Sequence, residues 1–145
     1  PCIRAKQINR GIPISIKDNQ LQFKLGKCSF GIQAKDRFQT DEVNAVLYWL
    51  NKIDNYDWMP PAIKFFAEHL HDSEYILWFV KKLERLASFL HATAQDVNHR
   101  MDRYKWVLAE MDSNPSHNIE HPLTTIELTT DEKRSFIDAW SYVKI

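Results

Sequence analysis

From Ile76 to Leu90 apolar side chains fall at Ile76, Phe79, Val80, Leu83, Ala87 and Leu90, and neither Gly nor Pro interrupts the run. Steps of three and four place all of these residues on one face of an α-helix. A helix this one-sided has to lay its stripe against other helices or a sheet, so it dictates a packed domain around itself. The chain has only three Gly, too few for the many tight corners of a β-sandwich or barrel.

The flanking sequence supplies further helices. Thr40 reads as an N-cap for a helix over 41–52, with Asp41 and Glu42 in its first turn and Val43, Val46, Leu47 and Leu50 as its apolar stripe. Ile53 to Met59 reads as a loop, and Pro60 and Pro61 suit the start of a second helix to His69, because their missing N–H groups would be unbonded there anyway. Its stripe is Ile63, Phe66, Ala67 and Leu70. Asp72 or Ser73 caps the third helix. No breaker lies between His91 and Gln95, yet an unbroken helix over 73–111 would be about 58 Å long at 1.5 Å per residue, too long for a small domain. A break is therefore expected, with Asp96 as a new cap and Val97, Met101, Tyr104, Leu108 and Met111 as the stripe of a fourth helix.

Asp112 to Pro122 is polar and reads as a flexible loop, and Leu123 to Leu128 as a short extended segment. Thr129 and Glu132 form a capping box for a last helix carrying Phe136, Ile137 and Trp140. Ahead of all the helices, residues 12–25 alternate apolar and polar. Ile12, Ile14 and Ile16 fall on one face and Leu21, Phe23 and Leu25 on another, which predicts a β-hairpin; Cys28 to Ile32 is a third strand or an extended connector. The expected fold is mainly α, a bundle of about five helices with a small N-terminal β-hairpin, divided into a hairpin segment over 1–36 and a helical domain over 37–145.

Nineteen Lys and Arg balance nineteen Asp and Glu, so any nucleic-acid contact has to come from a local patch. Cys2 and Cys28 form no CxxC and are expected as free thiols of a reducing compartment. No stretch approaches the roughly 18 apolar residues of a membrane span, and no signal-peptide pattern opens the chain, so a soluble cytoplasmic protein is expected. The start on Pro1 and the patterned end at Ile145 lead to the expectation of a piece of a longer protein.

A search for catalytic and metal spacings is mostly negative, and neither a catalytic residue, a metal nor a cofactor is expected. HExxH, P-loop, GxSxG and GxGxxG are all missing, and His69 and His71 at i, i+2 point to different sides of a helix. His117 and His121 in the polar loop are a chelating or acid–base pair in one reading and ordinary loop residues in the preferred one. Lys81, Lys82, Arg85, Arg100 and Arg103 are the candidate nucleic-acid-binding residues. The alternative, which is preferred because Asp96, Asp102 and Glu110 dilute a positive stripe, sets Glu84 against Arg100 or Arg103 as an ion pair. The five Trp are expected in the core, except Trp58, whose aromatic loop is either a partner-binding element or a lid.

Three segments carry a family resemblance: Asp57 to Ile63, Phe79 to Ala87 with its Leu-Glu-Arg-Leu-Ala sequence, and Arg100 to Tyr104. Together with Ile126 to Phe136, they resemble the helical region of the GmrSD-type restriction endonucleases, over a span from Asp41 to Tyr142. In that family a ParB-like domain with an Asp-Gly-Gln-Gln-Arg motif binds and hydrolyses nucleotide, and an HNH-type domain cuts DNA. This chain contains neither motif, so none of the family's catalytic residues carries over. The resemblance implies a non-catalytic linker in a bacterial phage-defence enzyme, with the neighbouring domains of the parent as partners and DNA reached only through the local basic patch. The second reading is a free-standing helical protein-interaction module with no nucleic-acid role.

Overall fold

The computed structural model describes residues 16–17, 20–25, 28–33, 37–53 and 55–143, with side chains described over 38–53 and 55–139. Strands β1 (Ile16–Lys17), β2 (Gln20–Leu25) and β3 (Cys28–Gln33) pair antiparallel in chain order, with Ile16 opposite Leu21 and Phe23 opposite Phe30. The first residues and the turn of the hairpin expected over 12–25 lie outside the described residues, as does Cys2.

Five helices follow: α1 (Arg37–Leu50), α2 (Met59–Glu68), α3 (Ser73–Ala92), α4 (Val97–Ser113) and α5 (Thr130–Val143). α3 is the axis of the bundle. Ile76, Phe79, Val80, Leu83 and Leu86 are fully buried, and Leu90 almost so. Val43, Leu47 and Leu50 of α1 pack on this face, α2 adds Ala62, Phe65 and Phe66, and Phe136 of α5 meets Phe89 edge-on at 6.0 Å. Each large side chain so buried contributes about 1.5–3 kcal/mol relative to exposure, so this cluster dominates the stability of the helices.

The helix ends follow local chemistry. Pro60 and Pro61 occupy the first positions of α2. Asp72 caps α3 by accepting from the Tyr75 amide, and Asp96 caps α4 by accepting from the His99 amide at 2.8 Å. The expected break between α3 and α4 falls at Ala94, whose φ of 52° lies in the left-handed region and turns the chain out of α3. The capping box forms as read, with Thr129 Oγ1 accepting from the Glu132 amide at 3.1 Å and Glu132 Oε1 from the Thr129 amide at 2.9 Å.

Several expected placements are corrected. α1 begins at Arg37, so Thr40 is a buried helical residue and not its cap. The α2 stripe is shifted to Pro61, Ala62, Phe65 and Phe66, leaving Ala67 exposed, because Pro61 is drawn against the bundle while Pro60 stays exposed. In α4 the buried face is Arg103, Tyr104, Val107 and Met111, whereas Val97 and Met101 are exposed. The helix rotates toward Val107 because the returning segment 123–128 offers Arg103 acceptors on that side. That segment is a turn, closed by the Glu127 amide on the Thr124 carbonyl, and it buries Leu123, Ile126 and Leu128. Ile137 is exposed, and the side chain of Trp140 is outside those described. Of the two readings of Trp58 the lid holds, since it is fully buried on the core, and Trp78 packs against the core half-buried, whereas Trp49 and Trp106, expected in the core, are largely exposed. Among the described residues no helix is long and apolar enough to cross a membrane.

Candidate docking groove and the polar clasps around it

Four of the five cations singled out in the sequence turn toward four different neighbours. On α3, Lys81 pairs with Glu42 of α1 at 3.2 Å, and Lys82 pairs with Glu127 at 2.6 Å while lying 5.8 Å from the centre of the Trp78 ring. Arg85 is exposed and has no ion pair among the described residues. On α4, Arg100 donates to Asp57 in the loop before α2 and to the Gln95 carbonyl, both at 3.0 Å. Arg103 turns to α5. Glu84 is not the partner of either Arg; it accepts from Ser88 one turn along its own helix.

Arg103 is 4% exposed, and its guanidinium is almost fully used. Nε and Nη2 reach the two Glu132 oxygens at 3.1 and 3.2 Å, Nη2 also donates to the Glu127 carbonyl at 2.9 Å, and Nη1 donates to the Thr125 carbonyl. A planar fork can hold a carboxylate and two carbonyls at once, which a Lys ammonium cannot do with the same geometry. Burial opposes ionisation of Glu132, but the Arg103 bonds and the Thr129 amide outweigh it and hold the carboxyl below its ordinary range.

Two turns further along α4, Glu110 receives the amides and hydroxyls of both Thr124 and Thr125 at 2.7–3.1 Å. Here too burial works against the charge and the hydrogen bonds win, so the Glu110 pKa is lowered. Arg103 and Glu110 thus fasten the return segment to α4 from two sides. Neither contact follows a short-range pattern, and the sequence reading missed both.

The 112–122 loop was read as flexible, but it is anchored by His117, which is 4% exposed. Its Nδ1 lies 2.7 Å from the Tyr75 hydroxyl, which also accepts from the Leu123 amide at 3.3 Å. With the ring proton on Nε2, the Tyr75 hydroxyl donates to His117 Nδ1 while its oxygen accepts the Leu123 amide. Burial pushes the His117 pKa down, and neighbouring His69, 4.8 Å away between ring centres, adds to the shift. Both expected readings of His117 are therefore replaced by a core role, while His121 is exposed. Among the described residues no set of three His, Cys, Asp or Glu is placed to hold a metal.

The residues that α4 does not bury line a groove of about 270 Å³ against the start of α2. Tyr56, Pro60, Pro61, Met101 and Leu108 form apolar walls, with Tyr104, Asp57 and Lys105 among them. Ion pairs between the two sides bracket it: Arg100 with Asp57 at one end, and Lys64 of α2 with Asp112 of α4 at 2.9 Å at the other. Tyr104 is 4% exposed, and its hydroxyl has no hydrogen-bond partner among the described residues. Burial, followed by the nearby Asp57 charge, raises its pKa strongly. The signal for this groove was present in the sequence as Pro60-Pro61 and Met101, which were assigned to a helix start and to the core. No family model, curated protein or solved structure matches this chain.

Proposed function

We propose that the chain is a non-catalytic helical scaffold domain of a GmrSD-type phage-defence endonuclease, coupling a nucleotide-binding domain to a DNA-cutting domain. The observation that carries this reading is the Arg103 clamp, in which a buried guanidinium ties α5 and the return segment to α4 through a forked ion pair and two carbonyls. A displacement imposed on α5 would be passed to α4 and α3 rather than absorbed in a loop, as a coupling element requires. Within this reading DNA contact centres on Arg85, which alone of the five cations has no ion pair among the described residues.

Reading the gene outward in both directions tests the assignment. The proposal expects an Asp-Gly-Gln-Gln-Arg motif upstream and an HNH pattern downstream, and their joint absence from an open frame defeats it. In the parent, Arg103→Ala should lower nucleotide-stimulated DNA cleavage while nucleotide hydrolysis by the same variant is kept. A specific observation favours the second reading, a protein-interaction module: the bracketed apolar groove between α2 and α4.

A further inference from the structure

We propose that His117 is the latch of a pH-operated loop: a proton added to its imidazole releases residues 114–122 from the bundle while the helices stay folded. The inference stands whether or not a nuclease parent exists, because it uses only groups inside this chain.

The loop has a single fastening. From Asp112 to Pro122, His117 is the one buried side chain. Among the described residues, the hydrogen bonds of the loop otherwise close on itself, as with the Glu120 and His121 amides on Asn118 Oδ1 and the His117 amide on the Asn114 carbonyl. His117 Nδ1 alone reaches out of residues 115–122, to Tyr75 of α3 at 2.7 Å. A segment with so few buried contacts opens at a lower free energy than the core beneath it.

Counting donors and acceptors shows why a proton undoes this contact. The neutral ring with its proton on Nε2 accepts at Nδ1 from the Tyr75 hydroxyl, whose oxygen is left for the Leu123 amide. An imidazolium carries N–H on both nitrogens. Nδ1 and the Leu123 amide then compete for the Tyr75 oxygen, and the hydroxyl proton of a fully buried side chain loses its acceptor.

The surroundings do not repair the loss. The titratable and charged groups around the pair are Lys64, Glu68 and His69 of α2 and its end, Asp72 at the start of α3, and Glu110 of α4. Glu68 and Glu110 would attract the imidazolium, but Glu68 is bonded to Lys64, and Glu110 to Thr124 and Thr125. Lys64 repels it, as would a charge on His69, whose ring centre is 4.8 Å away. His117 has no ion pair among the described residues. Lifting the loop hands the imidazolium to water, and the Glu110 bonds to Thr124 and Thr125 hold the chain beyond it in place.

Amide exchange in the full 145-residue chain, followed by NMR at pH 7 and pH 5, tests this. The Leu123 amide reports the loop, because its Tyr75 partner is uncovered when His117 leaves, and the Leu83 amide reports the bundle. Dividing each rate by that of an unstructured peptide of the same local sequence removes the chemical effect of pH. Leu123 protection should fall about five- to twentyfold from pH 7 to pH 5, the change expected when opening restores an ordinary histidine pKa, with Leu83 more protected than Leu123 at both values. His117→Gln cannot take up the proton, so it should make Leu123 protection independent of pH, at whatever level the amide latches the loop. His121→Gln, in the same loop, should leave the wild-type change in place. Constant Leu123 protection in the wild type overturns the proposal, as does a change that survives His117→Gln or vanishes in His121→Gln. Equal protection of Leu123 and Leu83 also overturns it, since the loop would then open only with the whole bundle.

Discussion

Arg103 on α4 and Glu132 on α5 meet in a forked ion pair, Nε on one carboxylate oxygen at 3.1 Å and Nη2 on the other at 3.2 Å. The same carboxylate accepts the Thr129 amide and so closes the N-terminus of α5. One side chain therefore starts a helix and attaches it to the bundle.

Removing the guanidinium leaves a half-buried carboxylate and two carbonyls without their donor. Arg103→Ala should cost about 3–5 kcal/mol in a urea melt. Arg103→Lys should recover only part of that, because an ammonium cannot hold both the fork and the carbonyls. Full recovery by Lys would show that charge alone matters at this site.

Stability should depend on pH in two windows. The His117 pKa is lowered from 6.5, so the unfolded chain takes up a proton at a higher pH than the folded one does. The contribution of neutral His117 is present above 6.5 and lost as pH falls below it toward the folded value. His117→Gln, which keeps an acceptor for Tyr75, should erase this slope in melts between pH 7 and 5. Glu110 and Glu132 are lowered from 4.5, and their contribution is present above that value and lost at more acid pH. That lower window should persist in the His117 variant.

Leu83 is fully buried on the central face of α3. Leu83→Ala should destabilise by about 2–5 kcal/mol, measured by the denaturant midpoint at an unchanged slope.

Ala94 holds a left-handed backbone, which disfavours any residue with a Cβ. Ala94→Gly should raise stability by about 0.5–1 kcal/mol, and Ala94→Val should lower it. A loss on substitution by Gly would mean that the Cβ makes a contact worth more than the relieved strain.

Features written within a few residues were legible in the sequence. Asp72, Asp96 and the Thr129–Glu132 box each act on an amide three positions away, and Phe79 to Leu90 repeats at helical spacing. What failed was the choice of face. Val97 and Met101 continue the apolar spacing of Tyr104 and Met111 yet are exposed, because the partners that rotate α4 come from 123–132. His117 looked like a loop residue because its partner, Tyr75, is 42 positions earlier. Trp58 was ambiguous for the same reason: only the assembled bundle decides whether an aromatic residue in a loop closes the core or faces outward.

All the acceptors of the Arg103 guanidinium lie downstream of it, at separations of 22, 24 and 29 positions. During synthesis, then, the first four helices emerge with a cation on α4 that has nothing yet to bind. Domains fold from the N-terminal end as they appear, at about 5–20 residues per second, so α4 settles into its final rotation only when Thr125 to Glu132 has followed it out. A ribosome pausing after α4 would present a bundle whose last helix is still free to turn, and a chain cut short before Thr125 would never leave that state.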